Sequence, residues 1–258
     1  MHTKRQMFPT TRTDTMHIAC LMPTYGRRAS LLNNSIACFC HQSYGNRSLW
    51  IYDDLGTLIG ARCDMPGVYI LARTNRSHDI GSKYNELVDH MRNVCGDSVD
   101  AFAVWDDDDV YGPDYLFSHA LAIEHIDWSK PSRIVSAYHS PPMEEPGDGR
   151  FHGSIVVRAS AVKRTPWVET RRATFDQEYI AALSKNHGPP ADPCVNGPPQ
   201  YVYRWQTSGG GHCSGLMGSD DWYEKYQPDS REPINELKAE FDDNTRTILQ
   251  SLFQCADA

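Results

Sequence analysis

Short apolar runs alternate with longer amphipathic segments along the first half of the chain. Four runs have the length and composition of buried strands: residues 17–22, 49–52, 68–71 and 100–105. A helix is expected after the first run, because apolar residues recur at near-helical spacing between Leu32 and Cys40. The segment from Ile80 to Cys95 has one apolar face, which is typical of an amphipathic helix. This order of elements predicts an α/β fold with a mixed, mainly parallel sheet flanked by helices.

The second half of the chain is less regular. Strands are predicted at residues 133–138, 153–157 and 201–205, a short helix at 175–183, and loops at the proline- and glycine-rich stretches 141–149 and 188–199. A terminal helix is expected between Pro233 and Phe253, with an interruption at residues 242–244. We therefore expect a flexible tail (1–16), an α/β half (17–130), a second half of the same domain (131–230) and a C-terminal helical segment (231–258).

Composition indicates a water-soluble globular protein with one sizeable core. The 258 residues are 40% hydrophobic and 22% charged, and no run reaches the roughly 18 apolar residues of a membrane span. The first 16 residues are polar and basic and have no apolar stretch of signal-peptide type, so a cytoplasmic location is expected, in the host cell if the protein is viral. The eight cysteines form no C-x-x-C pair and are expected to be reduced thiols. A net charge of -8 gives no global attraction to nucleic acid.

A run of four carboxylates, Asp106–Asp109, follows the fourth predicted strand and precedes a predicted turn over Val110–Asp114. Carboxylates packed this closely repel one another unless a cation neutralises them, and oxygen ligands suit Mg²⁺ or Mn²⁺. Ligands of open α/β sheets bind at the carboxyl ends of strands, so a metal-bound diphosphate is a reasonable occupant. A second acidic pair, Asp53–Asp54, ends the second predicted strand. The alternative interpretation of the run is a solvated acidic loop.

Three segments occur together in the order and spacing of a known family: Ile18–Arg27, Asp53–Asp54 and Val104–Asp109. In these segments the chain resembles the inverting GT-A glycosyltransferases of family 2, which have a Pro-Thr-Tyr-type loop, an Asp-Asp pair and a D-x-D motif in this order. The resemblance covers roughly residues 17–115 and continues more loosely to about 215. It implies a nucleotide-binding α/β sheet with a less regular acceptor-binding half. It also implies transfer of a sugar from a nucleotide-sugar, expected to be UDP-linked, to a hydroxyl acceptor with Mn²⁺ or Mg²⁺.

The resemblance assigns five residues near the donor nucleotide. Thr24 and Tyr25 match the loop around the base, where Tyr25 can stack and Arg27 can approach phosphate. Asp54 matches the carboxylate that reads the uracil edge. Lys83 lies in a Gly-x-x-x-Asn segment that opens a helix, where backbone amides already favour anions. The ordinary alternatives are a loop aromatic, a turn carboxylate and a solvated lysine.

The resemblance also assigns roles within the acid run. Asp106 or Asp107 would reach the ribose, and Asp108 would bind the metal ion. Because four aspartates are consecutive, the register is uncertain by one residue and Asp109 stays a candidate metal ligand.

Inversion requires a general base that removes the proton of the attacking hydroxyl. The family has this acid at the start of a helix, and the matching segment is Phe175–Glu178. Asp176 is the preferred base, Glu178 is the second choice, and Glu169 is a weaker rival. The alternative is that acids simply favour the first turn of a helix.

A late segment, Tyr201–His212, resembles the family's Tyr-Arg-Trp...His region. There a histidine completes metal or diphosphate contact from a flexible loop, which assigns His212 as a metal ligand. Arg204 could instead meet phosphate. Trp205 and Trp222 could form a sugar-stacking wall, although buried packing is the ordinary role of a tryptophan.

The acceptor and the oligomeric state are not specified by the sequence. A saccharide or another hydroxyl compound is expected. An alternative is a viral-type enzyme that glycosylates hydroxymethylated DNA bases, with a phosphate track from Arg171–Arg172, Lys163–Arg164 and the basic start. Another is a catalytically idle module that binds nucleotide or carbohydrate. A nucleotidyltransferase would need a glycine- and lysine-rich phosphate loop, which Pro23–Arg28 does not provide.

Overall fold

The computed structural model describes residues 16–137, 141–147, 151–195, 197–204, 228 and 230–253. Its strands are β1 (Ile18–Thr24), β2 (Arg47–Asp53), β3 (Val68–Ala72), β4 (Ala101–Val104), β5 (Val110–Tyr111), β6 (Trp128–Ser129), β7 (Arg133–Ser136), β8 (Met143–Pro146), β9 (Val156–Arg158) and β10 (Tyr201–Tyr203). Its helices are α1 (Ala29–Cys40), α2 (Ile80–Cys95), α3 (Tyr115–Ala122), α4 (Ala159–Arg164), α5 (Phe175–His187) and α6 (Asp243–Phe253), with one 3₁₀ turn at His152–Ser154.

Two sheets organise these elements. The larger has the strand order β3-β2-β1-β4-β9-β6, in which the first four strands are parallel and β9 is antiparallel to both of its neighbours. The smaller has the order β5-β10-β7-β8. The mixed, mainly parallel α/β fold predicted from the sequence is therefore confirmed.

The core lies on both faces of the larger sheet. Strand β1 alternates strictly: Ile18, Cys20 and Met22 pack in the cluster that contains α1, whereas Ala19 and Leu21 pack in the cluster that contains α2. A strand buried on both faces reads as a continuous apolar run, because both sets of side chains leave water. Helices α1 and α2 thus cover opposite faces and fix the sheet edge that carries the acidic side chains.

Several predictions about the chain after the fourth strand were wrong. The predicted turn at residues 110–114 begins with β5, and the predicted loop at 141–149 contains β8. The pairing of β5 is with β10, about 90 residues away, so no local pattern reveals it. Strand β8 is a mostly exposed edge strand, where proline and charged residues are tolerated. The terminal helix begins only at Asp243, and α3, α4 and β6 were not predicted.

Two negative findings concern the described residues only. No described helix has both the length and the apolar character needed to cross a bilayer. The cysteines within the described ranges form no disulfide with one another.

Candidate functional site

Parallel pairing brings the carboxyl ends of β1, β2 and β4 to one edge of the larger sheet. Thr24 at the end of β1 lies opposite Asp53 at the end of β2, while β4 pairs with β1 on its other side. The acid run Asp106–Asp109 follows β4 after one residue. The acid run and the pair Asp53–Asp54 therefore occupy the same sheet edge, as the sequence predicted.

Arg27 holds two carboxylates of the acid run. Its Nε lies 3.1 Å from Oδ1 of Asp107 and its Nη2 lies 2.9 Å from Oδ2 of Asp108. All three side chains are less than 9% exposed, so this is a buried ion-pair cluster and not a solvated acidic loop. Burial raises the pKa of Asp107, and the Arg27 charge opposes that shift.

Asp109 connects the acid run to the second half of the chain. Its Oδ1 accepts a hydrogen bond from the backbone N–H of Arg204 at 2.9 Å, and its Oδ2 contacts the hydroxyl of Tyr201. The Nε of Arg204 donates to the backbone oxygen of Asp108 at 2.8 Å. Arg204 thus supports the loop that carries the run, and its predicted contact with phosphate stays a prediction.

Asp106 lies against the 3₁₀ turn that precedes β9. A Cβ atom on Gly153 would stand 2.1 Å from Oδ2 of Asp106, so the carboxylate packs directly on the glycine. The backbone N–H of Asp106 donates to the Tyr111 hydroxyl at 2.6 Å. Burial, followed by the charges of Asp109 and Asp108, raises the pKa of Asp106 well above 3.8.

Asp54 and Lys83 form a second buried pair beside the run. The Nζ of Lys83 donates to Oδ1 of Asp54 at 2.8 Å and lies 3.4 Å from the backbone oxygen of Thr24. Ser77 N–H donates to Oδ2 of Asp54 at 2.9 Å. The solvated-lysine alternative is wrong, because the Lys83 side chain is 3% exposed. Burial lowers the pKa of Lys83, and the Asp54 charge opposes this shift.

The neighbouring Asp53 has a different, local function. Its carboxylate accepts hydrogen bonds from the backbone N–H of Leu55 at 3.0 Å and of Leu58 at 2.8 Å. It therefore closes the turn after β2, which is the ordinary role considered for a carboxylate at this point. Within the acidic pair, Asp54 is the member that faces the candidate site.

Tyr25 lies between two cations at the same edge. The guanidinium carbon of Arg76 is 4.3 Å from its ring centroid, and the Nζ of Lys83 is 5.2 Å away. Arg76 belongs to the loop after β3, and a cavity of about 560 Å³ opens on that loop. The cavity is lined by Tyr52, Ile59, Ala72, Glu86 and residues 73–78. A flat aromatic ring with adjacent cations is suited to a nucleobase and its phosphates.

The three candidate bases, at and before the start of α5, have different surroundings. Burial raises the pKa of Asp176, and the Asp176 charge in turn raises the pKa of Asp106, so the two carboxylates are close enough to interact. Glu178 instead accepts a hydrogen bond from the Thr174 hydroxyl at 2.8 Å. Glu169 is bound by the side-chain amide of Asn85 at 2.9 Å. The charge of Asp176 therefore reaches Asp106, whereas Glu178 and Glu169 are held by neighbouring side chains.

The acid run fits a divalent cation shared with a ligand. The neighbouring carboxylates still raise the pKa of Asp106 with Arg27 in place, and carboxylate oxygens are the donors that Mn²⁺ and Mg²⁺ prefer. Within the described ranges, no three His, Cys, Asp or Glu side chains form a ligand group. One or two aspartates would therefore hold the ion together with diphosphate oxygens, which is a common arrangement for Mg²⁺.

Some residues named from the sequence keep the standing of predictions. His212, Trp205 and Trp222 lie outside the described residues. In the predicted phosphate track, Arg164 forms an ion pair with Asp127 at 2.7 Å and its side chain stays 55% exposed. Arg171 donates to the backbone oxygen of His78 at 3.2 Å, so it joins the loop before α5 to the loop after β3.

Other residues at the site were missed from the sequence. They are Arg76, Ser77, Tyr84, Gly153 and Tyr201. Tyr201 belongs to the late segment that resembles the family, and Tyr84 belongs to the helix-opening segment. Membership of these motifs is the sequence signal for both residues. Gly153 carries no sequence signal, since its importance comes only from the approach of Asp106.

Comparison with known proteins supports the fold. No protein-family model and no curated protein matches the sequence. S. aureus TarS is similar in structure, with a TM-score of 0.55 and 14% identity over 73% of this chain and 37% of TarS. The mannosyltransferase PcManGT from Pyrobaculum calidifontis, solved in complex with GDP-Man and Mn²⁺, has a TM-score of 0.50 and 13% identity over 78% of this chain and 61% of PcManGT. The chain spans less than two thirds of either protein, and the likeness shows a glycosyltransferase fold.

Proposed function

We propose that this chain is an inverting, metal-dependent glycosyltransferase of the GT-A type, akin to family 2, that uses a UDP-linked sugar donor. One observation carries the proposal: the acid run and the Asp54–Lys83 pair lie at one sheet edge, and the charge of Asp176 acts on Asp106 of that run. The glycosyltransferase fold supports it. The GDP-Man and Mn²⁺ in the PcManGT complex support a nucleotide-sugar donor and a divalent ion here.

The donor nucleotide would bind along β1 and β2. Tyr25 would stack on the base beside Thr24, and Asp54 would read the uracil edge. The oxygens of Asp54 already accept from Lys83 and Ser77, but a carboxylate oxygen has a second lone pair for a uracil N–H. Lys83 would place its charge near the diphosphate. This part of the site therefore binds and orients the donor.

The diphosphate and the ribose would lie over the acid run. Asp106 or Asp107 would bind the ribose hydroxyls, and Asp108 with His212 would hold Mn²⁺ or Mg²⁺. When bound, the ion supplies Lewis-acid stabilisation of the leaving diphosphate. Arg27 can exchange its carboxylate partners for phosphate oxygens, because a guanidinium fits both bidentately.

Asp176 would act as the general base. Its carboxylate would accept the proton of the acceptor hydroxyl while that oxygen attacks the anomeric carbon, so one displacement inverts the centre. Burial raises the pKa of Asp176, which makes the carboxylate a stronger base. Glu178 is the second candidate, and its carboxylate accepts a hydrogen bond from the Thr174 hydroxyl.

The test is nucleotide release by the purified full chain. The protein is incubated with Mn²⁺, a panel of nucleotide sugars, and acceptors that include saccharides and duplex DNA with hydroxymethylated bases. We expect release with a UDP-sugar, and no metal-dependent donor binding for Asp108→Asn. Asp176→Asn should retain donor binding and lose turnover by at least about a hundred-fold, the usual contribution of a general base. Glu178→Gln is the matched control and should remain active.

The outcomes separate the competing functions. Release with modified duplex only would identify the DNA-modifying alternative, for which Arg171 and Arg172 lie on the surface. Donor binding without release for any acceptor would indicate a catalytically idle module. The absence of both binding and release across the panel would refute the proposal.

A further inference from the structure

Tyr84 occupies a rigidly held position in the first turns of α2. On one side, Lys83 is fixed by its ion pair with Asp54. On the other side, Asn85 exchanges two hydrogen bonds with the backbone of Trp167, both at 3.0 Å. Because both neighbours are anchored, the side chain of Tyr84 has a defined direction and little freedom to move away.

The ring of Tyr84 ends a stack that we call the aromatic column, formed by Tyr84, Trp167 and Tyr179. Tyr84 and Trp167 are stacked with centroids 5.1 Å apart, and Trp167 and Tyr179 are stacked at 4.9 Å. The edge of His152 packs against Tyr84 at 5.3 Å, and Trp167 donates to His152 at 3.0 Å. Packing on two sides fixes the ring plane and hence the line of its C–O bond.

The column lies between the acid run and the start of α5. His152 is followed by Gly153, which contacts the carboxylate of Asp106. His152 also packs at 5.5 Å from Phe175, the residue before Asp176. Tyr84 therefore stands between the two groups of carboxylates, next to the Lys83 end of the donor site. That is the space in which a sugar would lie if its nucleotide were at Tyr25 and its acceptor at Asp176.

The Tyr84 side chain is 1% exposed, so a hydrogen bond from its hydroxyl to a ligand would form away from bulk water. Burial, and then the charges of Asp106, Asp107 and Asp176, raise the pKa of Tyr84 well above 10. The phenol therefore keeps its proton at neutral pH and can donate a hydrogen bond.

We propose that Tyr84 is a substrate-binding residue whose hydroxyl donates a hydrogen bond to an oxygen of the transferred sugar. The inference rests on the proposed function. Tyr84 would contact the sugar, whereas the other residues of the donor site would contact the nucleotide. The bond orients the sugar between Asp106 and Asp176. It distinguishes the nucleotide-sugar from the free nucleotide, because only the former offers the acceptor oxygen.

The test compares Tyr84→Phe with Tyr179→Phe. Tyr179 lies in the same aromatic column and its hydroxyl is buried without a partner among the described residues, but only burial raises its pKa and no carboxylate charge contributes. By calorimetry with the donor selected in the panel, Tyr84→Phe should bind the nucleotide-sugar about three- to ten-fold more weakly. It should bind the free nucleotide as the wild type does. Tyr179→Phe should match the wild type for both ligands.

Turnover and thermal unfolding complete the experiment. Tyr84→Phe should lower kcat/KM at least as much as donor affinity, with an unchanged unfolding midpoint. Equal loss of nucleotide and nucleotide-sugar affinity, or equal loss in Tyr179→Phe, would show a packing role and overturn the inference. So would wild-type behaviour of Tyr84→Phe in a wild-type protein that binds the donor. If the wild type binds no donor at all, the proposed function fails first and the Tyr84 contact fails with it.

Discussion

Gly153 shows how one position without a side chain shapes the site. Its Cα faces Asp106 so closely that a Cβ atom would stand 2.1 Å from Oδ2 and 2.9 Å from the Tyr201 hydroxyl. Both atoms belong to the network around the acid run, and Tyr201 is held against Asp109. Any substitution must therefore move the carboxylate that is predicted to reach the ribose.

Gly153→Ala should accordingly impair donor binding more than folding. Overpacking by one methyl group costs typically about 1–3 kcal/mol, which corresponds to about ten-fold or more in donor affinity if the displaced carboxylate bears the strain. Donor titration by calorimetry and thermal unfolding measure the two effects separately. Gly45→Ala is the control, because a Cβ there meets no atom within 4 Å. Unchanged donor affinity in Gly153→Ala would mean that Asp106 does not contact the donor.

At the scale of elements, the sequence predicted the first half far better than the second. Strands β1, β2 and β4 are buried on both faces, so their apolar runs are visible without any knowledge of their partners. The acidic side chains that end β2 and precede β5 could be placed at one edge for the same reason. Strands β5 and β6 have two residues each and exist because of pairing with distant strands. No local pattern encodes such pairing.

Helix α6 connects the end of the chain to the acid run. Asp242 precedes α6 and accepts a hydrogen bond from the N–H of Thr245 at 2.7 Å, so Asp242 is the N-cap of the helix. The interruption expected at residues 242–244 is therefore the start of a shorter helix. Asp242 also makes two hydrogen bonds of 2.7 Å with the side chain of Asn34 in α1. Its carboxylate accepts from Nδ2 of Asn34, and its backbone N–H donates to Oδ1. Thr245 accepts a hydrogen bond from Nη1 of Arg204 at 2.7 Å. Asp242 thereby helps position the arginine that supports Asp108 and Asp109.

Asp242→Ala should destabilise the protein, whereas Asp243→Ala should not. The first change removes a helix cap, worth about 0.5–2 kcal/mol, and leaves the buried amide of Asn34 unsatisfied, which adds about 1–3 kcal/mol. The Asp243 side chain is fully exposed and contacts only Arg246 among the described residues. Urea unfolding of the two variants gives the comparison. Equal stabilities would show that α6 is not integral to the fold.

At the scale of the whole molecule, two buried histidines make the fold sensitive to acid. His119 is 1% exposed and bonds to the Ser129 hydroxyl at 2.7 Å, while His152 is 5% exposed and accepts from Trp167. Burial lowers the pKa of each from 6.5 to about 3. Below pH 6.5 the unfolded chain therefore binds protons that the folded chain does not bind until about pH 3. The stability that these two neutral histidines contribute is complete above pH 6.5 and is lost progressively as the pH falls from 6.5 to about 3.

Several carboxylates oppose this trend, so the histidine effect must be isolated by substitution. Burial raises the pKa of Asp106, Asp107 and Asp176, which makes the folded state bind protons before the unfolded state and favours folding as the pH falls. A simple decline of stability with acid would therefore not identify its source. A variant that preserves the hydrogen bond of one histidine but cannot titrate separates the two contributions.

His152→Gln is that variant, because the glutamine oxygen can accept the Trp167 N–H and carries no titrating group. Between pH 7 and pH 5 the wild type should lose about 2 kcal/mol more unfolding free energy than His152→Gln, the linkage expected for one histidine that stays neutral in the fold. Denaturant unfolding at both pH values measures this difference. His125→Gln, at an exposed position, should follow the wild type. Parallel pH dependence of the wild type and His152→Gln would show that His152 is protonated in the folded protein, which contradicts a neutral imidazole packed beside the aromatic column.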